Sequence, residues 1–136
     1  MSDAPVGPGR HEARERALEL LYEAEARGET AAAILDALPL APDPFASAAF
    51  AGVEADRVAI DELLEAHSDD WPVHRLAPVD RGILRLAVWE LRSRPDVPTA
   101  VVIDEAVELA KDYSTQRSPA FVNGVLDAIA SVVRSG

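Results

Sequence analysis

Two groups of side chains in this 136-residue chain have the types and spacing to meet a phosphate-bearing polymer. Arg10 and Arg14 stand four residues apart, on one face of a helix, with Arg16 two residues further on. Guanidinium groups so placed can meet one phosphate strand. The same spacing also lets them pair with the interspersed Glu12, Glu15 and Glu19. The second group opens with Ser118-Pro119, a cap followed by proline at the first helical position. It sets Phe121 in a first helical turn, beside backbone N–H groups that lack intrahelical partners. An aromatic ring there can stack a base next to a bound phosphate, and it can equally be a core phenylalanine.

Other chemistries lack their residues. Cysteine is absent, which removes thiolate zinc sites, iron–sulfur clusters and cysteine nucleophiles. His11, His67 and His74 share no i, i+4 spacing and no HExxH signature, so neither a metal site nor a cofactor is expected. GxxxxGK[ST], GxGxxG and GxSxG are all missing. Asp104, Glu105, Glu108 and Asp112, with Lys111 nearby, read as a solvated helix face rather than an acid–base pair. Arg85 lies inside an apolar stretch and must be paired, and Asp104 or Glu105 is the expected partner.

The elements that carry these groups are all helical. Residues 10–27 form an amphipathic helix that stops at Gly28. Thr30 caps a short helix ended by Pro39, and Asp43-Pro44 opens a long helix reaching about His67. Asp69-Asp70-Trp71-Pro72 breaks the chain. Pro78 to Arg92 has almost no polar face and should be the central, most buried helix. Further helices run over about Thr99–Tyr113 and from Ser118 to about Arg134. In the last, Asn123-Gly124 looks like a hairpin turn, but the helical period continues through it. Gly124, Ala128 and Ser131 form a small-residue stripe that invites close approach. Period-two alternation is absent, so the fold is all-α. Residues 1–9, rich in proline and glycine, read as a mobile tail before a single domain over 10–136.

The net charge is −11, which weighs against nucleic acid. Its distribution softens that objection: residues 28–70 hold ten acids against Arg57 alone, whereas residues 71–136 hold eight acidic and eight basic groups. With no apolar run of membrane length and no signal-like start, a cytoplasmic protein is expected.

Four stretches, taken in order, carry a resemblance. They are Ala13-Arg14-Glu15-Arg16-Ala17-Leu18-Glu19-Leu20-Leu21-Tyr22, the run from Asp80 to Leu91, Asp96-Val97-Pro98 with Ile103 to Lys111, and Phe121-Val122-Asn123-Gly124-Val125-Leu126-Asp127. Together they resemble the NusB family of bacterial transcription antitermination factors. The resemblance implies an all-α fold of about seven helices in two small packed bundles, and no enzymatic activity. It implies binding of the boxA element of nascent ribosomal RNA together with NusE, a small-subunit ribosomal protein, in a complex with other Nus factors on RNA polymerase. Carried onto this chain, the family's RNA surface falls on Arg10, Arg14, Arg16, Tyr22, Ser118 and Phe121, and Asp80 becomes an acidic contact for NusE. Self-association is a further implication, as a homodimer that must open to expose the RNA face.

Two departures from the family pattern bear on affinity. His11 and Glu12 interrupt the opening arginine run, and Arg117-Ser118-Pro119-Ala120 stands where many relatives place an acid and a lysine. With the acidic balance, both imply weak RNA binding alone and a large electrostatic contribution from NusE. Two other readings fit the residues. One is a helical adaptor that binds proteins only. The other is a NusB-like RNA-binding domain detached from a ribosomal RNA methyltransferase, whose catalytic domain would need cysteines and a glycine-rich loop.

Overall fold

The computed structural model describes residues 8–68 and 71–134. Seven α-helices follow one another: α1 Pro8–Arg27, α2 Ala31–Ala37, α3 Pro44–Ala55, α4 Arg57–His67, α5 Pro78–Ser93, α6 Thr99–Tyr113 and α7 Ser118–Val133, with one 3-10 turn at Val73–Arg75. No strand occurs among the described residues. Helix α1 begins at Pro8, two residues before the expected start, because a proline is tolerated in a first turn whose N–H groups have no helical partner. The first seven residues of the expected tail lie outside the described residues.

Local chemistry sets most boundaries. Gly28 terminates α1 with φ of 65°, the left-handed conformation that glycine adopts without a Cβ penalty. The Thr30 hydroxyl accepts from the Ala33 N–H at the start of α2, and the Asp43 carboxylate accepts from the Phe45 N–H at 2.7 Å at the start of α3.

The long helix expected over residues 44–67 is two helices that meet at Asp56. The reason is tertiary. Phe45, Ala46, Ala49, Phe50 and Val53 of α3 are buried, and that helix packs on α1, α2 and α5. Ile60 and Leu64 of α4 are buried too, but α4 packs on α5 and α7. One straight helix cannot aim both stripes, so the axis breaks between them.

Helices α1–α3 form one group, with its own small cluster of Leu20, Ala31, Ile34 and Phe50, and α4–α7 form the other. Helix α5 joins them, as its composition predicts, touching α1, α3, α4, α6 and α7. It buries Ile83, Leu84, Leu86, Ala87, Val88, Trp89 and Leu91. Each large apolar side chain so buried contributes about 1.5–3 kcal/mol of transfer free energy, largely offset by chain entropy. Gly52 lets α3 lie against α5, since a Cβ there would run into the indole of Trp89. The small-residue stripe of α7 does no such thing, because Gly124 is exposed and faces open space.

Arg85 is paired as its position demands, but with a different acid. Its Nε and Nη2 donate to the two carboxylate oxygens of Asp61 on α4, both at 2.9 Å, and Glu25 lies 3.7 Å away. Asp104 and Glu105 sit on α6, and the face of α5 that carries Arg85 turns toward α4 instead.

Candidate nucleic-acid interface

The arginines at the start of α1 have unlike fates. Arg14 is 2% exposed, and its Nε and Nη2 donate to Oε2 and Oε1 of Glu90, both at 2.8 Å. Glu90 stands in the apolar run of α5 and is itself buried. This bidentate pair locks α1 to α5, and it withdraws Arg14 from solvent. The expected phosphate contact at Arg14 is therefore corrected: its guanidinium is committed to a carboxylate inside the core, because an unpaired Glu90 there would be prohibitive. Arg10 sits over the Phe45 ring, 4.5 Å from its centroid, and makes no ion pair among the described residues. Arg16 is partly exposed and pairs loosely with Glu19 at 3.2 Å. Tyr22 is 52% exposed.

His11 ties α1 to α6. Its Nδ1 donates to Glu105 at 2.7 Å, and this hydrogen bond, with the charges of Glu105, Glu15 and Asp112, raises its pKa above the usual 6.5 against a lesser opposing effect of burial. His11, Glu15 and Asp112 are the one group of metal-ligating types gathered among the described residues, with ligand atoms within 4.8 Å. Tyr113 donates to the same Glu15 at 2.8 Å, and this holds its phenol pKa up.

The residue after Tyr113 leads to the second group. The Ser114 hydroxyl donates to Asp80 Oδ1 at 2.6 Å and that of Ser118 to Asp80 Oδ2 at 3.0 Å, while Thr115 bonds Ser118 at 2.8 Å. Ser118 is 3% exposed, so this node fixes the start of α7 against the start of α5 and does not present the serine to solvent. The expected RNA contact at Ser118 becomes a positioning role. Asp80 is partly buried, and both its oxygens accept from serines.

Asp80, Ser118 and Phe121 line one cleft of about 410 Å³ with Trp71, Arg75 and Arg117. Phe121 is partly buried and Trp71 is 56% exposed. Neither Arg75 nor Arg117 joins an ion pair or hydrogen bond through its side chain among the described residues. The corner Tyr113–Ser114 touches both elements, through Tyr113 to Glu15 of α1 and through Ser114 to Asp80 of the cleft. Trp71, Arg75, Arg117 and Tyr113 escape a motif search because no spacing connects them. The single available signal is a tryptophan set between acids and a proline, where a core role is awkward.

The description "NusB family" belongs to a family model that matches residues 11–131. The structure of T. maritima NusB is 34% identical, with a TM-score of 0.80, over 96% of this chain and 93% of that one. A solution structure of NusB from Aquifex aeolicus is 28% identical, with a TM-score of 0.68, over 96% and 94% of the two chains. A crystal structure of antitermination factors NusB and NusE in complex with dsRNA contains a chain 28% identical, with a TM-score of 0.74, covering 90% of this chain and 96% of that one.

Proposed function

This chain belongs to the NusB family, and on that basis we propose that it is a transcription antitermination factor that binds boxA RNA of nascent ribosomal transcripts together with NusE. It acts by binding, not by catalysis, and joins the other Nus factors on RNA polymerase. No described helix is long and apolar enough to cross a membrane.

The observation that carries this reading is the state of the cations. On a chain of net charge −11, most arginines are spent on neighbouring acids or carbonyls; among the described residues Arg57, Arg75 and Arg117 have no side-chain hydrogen bond or ion pair, and two of these, Arg75 and Arg117, stand at the rim of one aromatic cleft. Cations left free beside exposed rings suit a single-stranded nucleic acid, whose phosphates and bases need both. The RNA face then comprises Arg10, Arg16, Tyr22, Arg75, Arg117 and Phe121. Arg14 and Ser118 hold it in shape from behind. Asp80, at the edge of the face, offers NusE its acidic contact. So few free cations on so acidic a chain imply that NusE supplies much of the phosphate attraction.

Reversing the charge of Arg75 and Arg117 together tests this. The double glutamate variant, mixed with NusE, should bind boxA RNA at least tenfold more weakly. Its logarithmic salt slope should be shallower by about 1.4 for two lost phosphate contacts on a single strand. Binding to NusE without RNA should be unaltered. Unchanged RNA affinity and slope would place the RNA elsewhere and favour a protein-only adaptor.

A further inference from the structure

We infer that the cleft between the Trp71–Ala77 segment and the first turn of α7 seats one unstacked nucleobase of the bound RNA, with Trp71 as its principal stacking surface. This rests on the RNA-binding reading above and adds to it a subsite and a reading residue. A cleft of about 410 Å³ is large enough for one nucleobase. Two rings line it, and they make no ring contact with each other. Trp71, 56% exposed, keeps a face for an incoming π-system, while Phe121 packs partly against the core. Leu76 adds an apolar wall, and Arg75 and Arg117, with no side-chain partner among the described residues, line the same cleft and can meet the phosphates flanking an inserted base. That charge selects an anionic chain over an apolar peptide side chain.

Trp71 is exposed without being loose. Its backbone N–H donates to the Ser68 carbonyl at 3.0 Å, and the Ser68 hydroxyl donates back to the Trp71 carbonyl at 2.6 Å. The turn that follows is held on two sides. Glu65 accepts from the Val73 N–H at 2.7 Å, and Arg81 donates to the carbonyls of Val73 at 3.2 Å and Leu76 at 2.7 Å. On the opposite wall the Asp80 carboxylate is occupied by two serine hydroxyls, which tempers its repulsion of a phosphate. These bonds order the backbone that carries the exposed Trp71 ring, so a base stacking on it meets a turn already held in place.

The test uses the full chain mixed with NusE and a boxA RNA carrying one abasic site at a time. The Trp71→Ala variant should melt like the wild type, since the ring is exposed, and should bind intact RNA roughly 5- to 150-fold more weakly, the range of one base–aromatic stack. In the wild type one abasic position should account for most of that loss, and in Trp71→Ala the same position should carry no further loss. Trp71→Phe should restore most of the affinity. RNA should also quench the fluorescence of the exposed Trp71, leaving that of the buried Trp89 as the residual signal. Wild-type binding that Trp71→Ala leaves intact, or equal abasic penalties in both proteins, would overturn the subsite while sparing the RNA-binding role. Loss of NusE binding in Trp71→Ala without RNA would assign the cleft to a protein and overturn it as well. Absence of RNA binding by the wild type would reject both readings.

Discussion

Replacing Arg14 with methionine removes one half of the buried pair with Glu90 and gives the sharpest test of why that arginine exists. Both side chains are 2% exposed, and two N–H···O bonds of 2.8 Å join them. Without the guanidinium, the Glu90 carboxylate must stay charged in the core or take up a proton, and either course is unfavourable. Breaking such a pair typically costs about 3–5 kcal/mol. Loss of the cation–π contact with Phe45, whose ring centroid is 5.2 Å from the guanidinium, adds about 0.5–1 kcal/mol. A domain has about 5–15 kcal/mol in total, so the single variant should lose a large fraction of its stability and show a clearly lower urea midpoint. The double variant Arg14→Met/Glu90→Leu removes both charges and should recover most of the loss, because apolar replacements of buried pairs are often neutral. A double-mutant cycle by urea denaturation should therefore return a coupling of at least about 2 kcal/mol. The recovered double variant should also bind RNA as the wild type does. A stability loss below about 1 kcal/mol in the single variant, or a stable double variant that no longer binds RNA, would refute the structural role and restore Arg14 to the phosphate surface.

Gly52→Ala should destabilise by about 1–3 kcal/mol in thermal melts, since its Cβ meets Trp89, which Phe45 holds edge-to-face at 6.0 Å. Gly124→Ala, in the open, should instead stabilise by up to about 1 kcal/mol, and a loss there would mean that the stripe does pack against something. The raised pKa of His11 contributes stability that is fully present below the unfolded value of 6.5 and is lost as pH rises through the folded value. Proton NMR of the His11 ring should therefore show a midpoint above 6.5, moving back toward it in Glu105→Gln. An unshifted wild-type midpoint would contradict the Glu105 contact.

Features governed by neighbouring residues are readable without the structure. Gly28, Thr30 and Asp43-Pro44 each mark a helix end through one side chain or one backbone angle, and the apolar run from Ile83 to Leu91 announces its own burial. Ser118, expected as a cap, is instead the first helical residue of α7, and its hydroxyl bonds Asp80 rather than a backbone N–H. What escapes such a reading depends on partners far along the chain. The break at Asp56 follows from two helices needing different neighbours, although residues 44–67 carry no local breaker stronger than Gly52. Arg10, Arg14 and Arg16 look alike in sequence, and only the position of Glu90, 76 residues on from Arg14, decides which of them is buried. A charged residue in an apolar run signals a buried partner somewhere, and Glu90 carries that signal as plainly as Arg85 does. The cleft draws Trp71 and Arg75 from one connection and Arg117 and Phe121 from another, so no spacing pattern could have joined them.

Whether this chain binds RNA jointly with NusE is decided by fluorescence anisotropy of a labelled boxA RNA. The protein is titrated in with and without NusE, at two salt concentrations. Binding should be weak for the chain alone and tight with NusE, falling steeply as salt rises. Affinity unchanged by NusE would contradict the electrostatic role given to the partner. Absence of binding under both conditions, with the NusE complex formed, would contradict the RNA function itself.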